Sequence, residues 1–322
     1  MKKRMRSRAS LWMAGLLLMT TMMSGCGSQQ KDSLTKPADP VSAAAPQEKI
    51  IHNMWGDVTI QGTPKKIVAL DFSLTDALIS LGIQPAGVAG TGQTQVPEYI
   101  QDKVQGYSYV GDRNEPNLDM IRHIKPDLII ADPDRSQNVK AQLQTIAPTL
   151  ALNDTSYQEM LDNVTVLGDV LDCKERAEKV KLDLLSKINN TKAKIQDKPS
   201  VLVIGGFGEE LTVWISNSFV GSLMKDLGLS YDMAAQKVDN LGGNDVSVLS
   251  LQQLADLDPD YIFFYGETLG YRDDPLFQNL SAVKNRHFLE VDRNLWSRGR
   301  GPIAASKIID DALPLLTAQV SH

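Results

Sequence analysis

A chain of 322 residues with 33 Lys and Arg against 39 Asp and Glu is acidic, with a net charge of -6, and an acidic surface argues against nucleic acid as a partner, because neutralising phosphates needs a basic face. Two cysteines, Cys26 and Cys173, cannot make a disulfide-dense scaffold, so stability must come from a core that roughly 270 folded residues can supply.

The chain opens on MKKRMRSRASLWMAGLLLMTTMMSGC: five bases and no acid, an apolar run from Leu11 to Met23, then small residues before Cys26. This is the pattern of a secretory signal, too short for a comfortable membrane span, and residues 1–25 are read as that signal. Ser24-Gly25 before Cys26 resembles a bacterial lipobox, which makes Cys26 the expected lipidation site. Removing the five leader bases leaves 28 bases against 39 acids, a net charge of -11. Residues 26–49, with one leucine, one valine and no aromatic, cannot bury enough apolar surface to offset their ordering and are expected to be a tether, spanning on the order of 25 Å as a flexible coil.

HNMWGDVTIQG reads as a small hairpin, after which IVAL leads through Ser73, the expected helix cap, into LTDALISLG. The most informative pattern is a repeat. In LDMIRHIKPDLII, Leu118, Ile121, Ile124, Pro126 and Asp127 correspond at an offset of 133 to Leu251, Leu254, Leu257, Pro259 and Asp260 of LQQLADLDPDYIF. Each copy has apolar residues at three-residue steps, a proline that ends the helix and an apolar run that follows as a buried strand. Two such copies predict two lobes of like construction.

Strands alternating with short helices predict an α/β fold, two Rossmann-like lobes with parallel-rich sheets. The lobes are expected at 50–172 and 198–322. Tyr157 to Gln196 is almost continuously helical in pattern, and residues 173–197 are read as a helix about 36 Å long joining the lobes, with the ligand cleft between them.

Open parallel sheets take ligands beyond the carboxyl ends of their strands. Arg113 follows YSYVGD, Arg135 follows LIIADPD, and Arg298 and Arg300 follow HFLEVDRNLW. Facing lobes would aim these four guanidinium groups into one crevice. Each charged hydrogen bond contributes roughly 1.5–3 kcal/mol and a micromolar complex needs about 8 kcal/mol, so four arginines suffice for an anionic ligand where one does not. Arginine suits this task because its planar fork matches a carboxylate and keeps its charge. Trp214, Tyr265 and Trp296 are expected to wall the site, and Gly205, Gly206 and Gly208 to turn at its edge.

His52, His123, His287 and His322 have no metal-ligand spacing, so no metal site is expected. No Gly-x-Ser-x-Gly elbow, Walker loop or His-Glu-x-x-His is present. Cys173 reads as a half-buried small hydrophobe. From these residues alone, an enzyme remains an open alternative to a binding protein.

From about His52 to Leu316 the chain resembles the class III substrate-binding lipoproteins of bacterial ABC importers for iron-siderophores and cobalamin. The likeness lies in PKKIVAL, VGDRNEPNLDMIRHIKPDLIIAD, FVGSLMKDLGL and DPLFQNLSAVKNRHFLEVD. Within that family VGDRNEP, ADPDR, LQTIAPTL and LWSRGRGPIAASKIIDDAL are most similar to the ferric dicitrate binding proteins. The resemblance implies a monomer with no enzymatic activity and no cofactor. Lipid-anchored on the extracytoplasmic face of the cell membrane, it would capture ferric citrate, the iron being held by the chelator, and pass it to an ABC permease and its cytoplasmic ATPase. Another siderophore, haem or cobalamin stays open as cargo. Docking on the permease commonly uses an acid on each lobe, and Gln252 stands where one of these is expected, leaving the docking pair unassigned.

Overall fold

The computed structural model describes residues 48–207, 210–234, 245–267 and 270–317. The expected signal, Cys26, nearly all of the expected tether, Gly208 and His322 lie outside them. Strands β1 (Glu48–Asn53) and β2 (Gly56–Gln61) form the expected antiparallel hairpin. Glu48 and Lys49, expected in the tether, already pair in it.

The first half then runs through β3 (Ile67–Ala69), α1 (Phe72–Ser80), β4 (Gly87–Gly90), α2 (Glu98–Gln101), β5 (Ser108–Asp112), β6 (Glu115–Pro116), α3 (Leu118–Ile124), β7 (Leu128–Ala131), α4 (Lys140–Ile146) and β8 (Thr149–Ala151). Its sheet has the order β6-β5-β4-β3-β7-β8 and is parallel except for the short β6. Side chains alternate across it with the period of two that a strand imposes. Ile67, Ala69, Leu128 and Ile130 face one apolar cluster, and Val68, Leu70, Ile129 and Ala131 face another that includes Ile121 of α3 and Leu143 of α4. Asp71 rather than Ser73 caps α1, its carboxylate accepting from the Ser73 amide.

Between the halves the helical pattern of 157–196 divides into two helices, the second of which is the helix expected at 173–197. α5 (Tyr157–Val170) ends at Leu171, Asp172 takes the left-handed conformation at φ 51°, and α6 (Lys174–Lys192) doubles back against α5. The close crossing needs Gly168, where a Cβ would collide with Ala177. α6 alone is therefore about 28 Å long. Cys173, half-buried, precedes it.

The second half comprises β9 (Val201–Phe207), β10 (Glu210–Trp214), α7 (Phe219–Asp226), β11 (Val246–Leu249), α8 (Leu251–Leu257), β12 (Tyr261–Gly266), α9 (Pro275–Asn279), α10 (Ser281–Lys284), β13 (Phe288–Glu290), α11 (Arg293–Trp296) and α12 (Pro302–Thr317). Its sheet, β11-β10-β9-β12-β13, is mixed: β12 runs parallel to β9 and β13, whereas β10 is antiparallel to both β9 and β11. Gly205 and Gly206, expected in a turn, lie inside β9, where a Cβ at Gly205 would meet the Tyr265 ring.

The repeat has a direct physical meaning. α3 and α8 each end on a left-handed residue, Lys125 and Asp258, again 133 apart. Asp127 then accepts from the amides of Lys65 and Lys66 just before β3, and Asp260 accepts from the Ser200 amide and hydroxyl just before β9. Each carboxylate ties the strand after the helix to its parallel neighbour. α12, expected with the C-terminal lobe, packs on α1, α5 and α6.

Candidate functional site

The carboxyl ends of β3, β5, β7 and β8 carry Asp71, Arg113, Asp132 with Arg135, and Asp154 respectively. These are the positions where a parallel sheet presents groups to a ligand. Arg113 Nη1 donates to both carboxylate oxygens of Asp71 at 3.3 Å, and Arg135 Nε forms an ion pair with the same carboxylate at 3.1 Å. Asp132 accepts from the amides of Asp134 and Arg135 at 3.0 and 2.8 Å, folding the ADPDR loop so that Arg135 points back to Asp71.

The opposing half contributes the loop between α11 and α12. Arg300 reaches across to Asp154 at 3.3 Å and is held on its own side by Asp245 at 2.7 Å, its guanidinium lying over the Trp214 ring at 4.9 Å. Arg298 donates to the neutral Asn294 Oδ1 at 2.8 Å and pairs with no carboxylate among the described residues. The four predicted arginines thus form one charged cluster: Asp71 feels Arg113, Arg135 and Arg300, and the field of Arg113 is felt at Arg298.

Titration sorts them. Burial opposes ionisation of Asp71, but Arg113, Arg135 and Arg300 together outweigh it and hold the carboxyl below the usual range. Burial, then the nearby Asp154 and Asp71, pushes Asp132 up to about 6. Asp154 is raised by burial and by Asp71 against the pull of Arg300. For Arg300 burial is outweighed by Asp245 and Asp154, which fix its charge more firmly. Arg298 is the opposite case: burial, then repulsion from Arg293 and Arg113, lowers it to about 10. A cation already repelled by its neighbours is the one that gains most from an incoming anion.

Most of this charged cluster is therefore internally compensated. Arg113 and Arg135 share Asp71, and Arg300 is shared by Asp154 and Asp245. Sequence reasoning had no view of Asp71 and Asp154 as partners of the arginines, although a signal existed: β3, β7 and β8 are each followed within three residues by an aspartate. It also missed Arg293, which lies over the exposed Phe207 ring at 4.5 Å beside Arg298.

Of the predicted walls, Trp214 is buried under Arg300. Tyr265 is buried against Phe207, with Ser297, Thr212 and Trp214 near its hydroxyl. Trp296 is 1% exposed, stacked on Phe263 with centroids 4.5 Å apart, so it supports the arginine loop from within the core and does not line the crevice. His52 is paired with Asp57 on the hairpin and His287 is stacked on Tyr261; no described histidine stands among these groups. Among the described residues no cluster of three or more His, Cys, Asp or Glu is arranged to hold a metal ion, and no helix is long and apolar enough to cross a membrane.

Residues 67–295 match the family model described as periplasmic binding protein. The chain is 33% identical to the Fe(3+)-citrate-binding protein YfmC of Bacillus subtilis, over 94% of this chain and 95% of that protein. It is 29% identical to the Fe(3+) dicitrate-binding periplasmic protein FecB of Escherichia coli, over 84% and 90%. Among solved structures, Staphylococcus aureus SirA complexed with staphyloferrin B superposes with a TM-score of 0.72 at 27% identity, over 83% of this chain and 98% of that one. The chain belongs to the periplasmic binding protein family.

Proposed function

We propose that this protein captures ferric citrate, or a closely similar anionic ferric chelate, outside the cytoplasm. It then delivers the chelate to an ABC permease driven by a cytoplasmic ATPase. One observation carries the reading: guanidinium groups from both halves of the chain gather around Asp71 and Asp154, in a chain related to ferric citrate binding proteins. A ferric citrate complex presents carboxylate oxygens outward, so the protein need supply donors and no metal ligand. In this reading the chelate engages Arg298 first, because it has no acid of its own, and Arg293 at the rim. It then competes with Asp71 for Arg113 and Arg135. Arg300 lies behind them as a structural cation.

Cys26, after removal of residues 1–25, would carry the lipid that tethers the monomer to the cell membrane. Calorimetry with ferric citrate, iron-free citrate, ferrioxamine and haem tests the cargo. Ferric citrate is expected at micromolar Kd or below, the range that a few charged hydrogen bonds sustain. Equal affinity for ferrioxamine, which lacks a negative shell, would refute the anionic-chelate reading.

A further inference from the structure

α12 begins Gly301-Pro302, and a glycine at the cap position has no side chain to offer the first free amides of the helix. Pro302 needs no acceptor, but Ile303 and Ala304 do, and both find it in one residue 227 positions away or more. Asp76, in the middle of α1, accepts from the Ile303 amide through Oδ1 and from the Ala304 amide through Oδ2, each at 2.9 Å. Its side chain is wholly buried and fills the place that a Cβ on Gly301 would take. The contact is thus a cap supplied through the packed interface of α1 with α12.

The same helix organises the other half of the cluster. Asp71, at the N-cap of α1, holds Arg113 and Arg135, while Asp76, five residues on, holds the end of the loop that bears Arg298 and Arg300. Gly299, between the two arginines, is itself closely packed, since a Cβ there would meet the Leu295 carbonyl and Ala304. The loop is therefore clamped at Trp296 in the core and at Asp76 on α1, with the two arginines strung between.

We propose that Asp76 is a positioning residue for the ligand-binding Arg298: by capping α12 from the other half of the chain it fixes Arg298 relative to Arg113 and Arg135. This rests on the chelate-binding reading and deepens it.

The test is a double-mutant cycle on the mature chain, with ferric citrate as the probe. Asp76→Asn keeps the shape but turns an amide N–H toward one of the two donors. It is expected to weaken binding about tenfold, the factor that losing one capping interaction allows, and to do so by less than about threefold in an Arg298→Ala background, since the arginine it positions is gone. Should Asp76→Asn fail to fold, Gly301→Ala displaces the Asp76 carboxyl without replacing it and is expected to give the same pattern. Unchanged affinity, or an equal loss in both backgrounds, would overturn the proposal, the second outcome marking a merely structural role. If wild type does not take up ferric citrate, the chelate reading fails by itself. The positioning role is then decided by the crystal structure of the unliganded variant: an Arg298 guanidinium group displaced by about 1 Å or more supports it, and a superposable one overturns it.

Discussion

Arg300→Met separates two roles that the sequence could not. The Arg300 side chain is 11% exposed, and its partners Asp154 and Asp245 are 6% and 8% exposed. Methionine fills a similar volume but leaves two buried carboxylates without a counter-ion. Removing one partner of a buried pair costs about 3–5 kcal/mol. In a body of this size each kcal/mol moves Tm by about 2–4 °C, so Tm should fall by about 6–20 °C at pH 7.5. The loss should shrink at pH 5. Asp154, raised by burial and by Asp71, rises further once Arg300 is gone, and a group with a raised folded pKa contributes its stability at low pH and loses it as pH rises. Thermal melts at the two pH values, with calorimetry for ferric citrate, check this. A variant that melts with wild type yet binds poorly would refute the assignment and make Arg300 a direct ligand contact.

What the sequence reveals here is whatever local spacing encodes. The repeat was legible because a short apolar helix, Pro-Asp and a buried strand are all set by neighbours in the chain. The constant offset even extends to the left-handed Lys125 and Asp258 and to the strand-tying Asp127 and Asp260. The four arginines were legible for a related reason: each follows a strand, and parallel strands end on one edge. Their partners were not. Arg300 and Asp154 are 146 residues apart and Arg113 and Asp71 are 42 apart, separations at which no periodicity links two side chains. The helix expected from residue 173 begins next to the left-handed Asp172, but the helical period gave no sign that α6 doubles back against α5. The role of Asp76 left one trace, a helix opening on Gly-Pro with no cap of its own.

The other expectations concern ligand and pH. Arg298→Ala should weaken ferric citrate binding at least about tenfold with little change in Tm, because it breaks no ion pair; equal affinity would remove it from the site. Ferric citrate should quench tryptophan fluorescence, and Trp214→Phe should abolish more of that quench than Trp296→Phe, since Trp214 lies under Arg300 while Trp296 is packed in the core; the reverse order would place the ligand elsewhere. The last expectation turns on a sign. Burial raises Asp76 to about 7, against the pull of the Ile303 and Ala304 amides. Tyr99, near enough to lower it but outside hydrogen-bonding geometry, faces the same carboxyl and also feels Asp71 and Asp154. A folded pKa above the unfolded value of 3.8 means that Asp76 favours folding fully below about pH 4, a contribution that disappears as pH climbs through 7. The span corresponds to about 4 kcal/mol. Asp71, lowered by its arginines, runs the other way and loses its contribution as pH falls. Asp76→Asn removes only the first of these slopes, so in urea unfolding at pH 5, 6.5 and 8 its deficit against wild type should narrow as pH rises. A deficit that widened would mean that the two amides of α12 outweigh burial and hold Asp76 as a permanent anion.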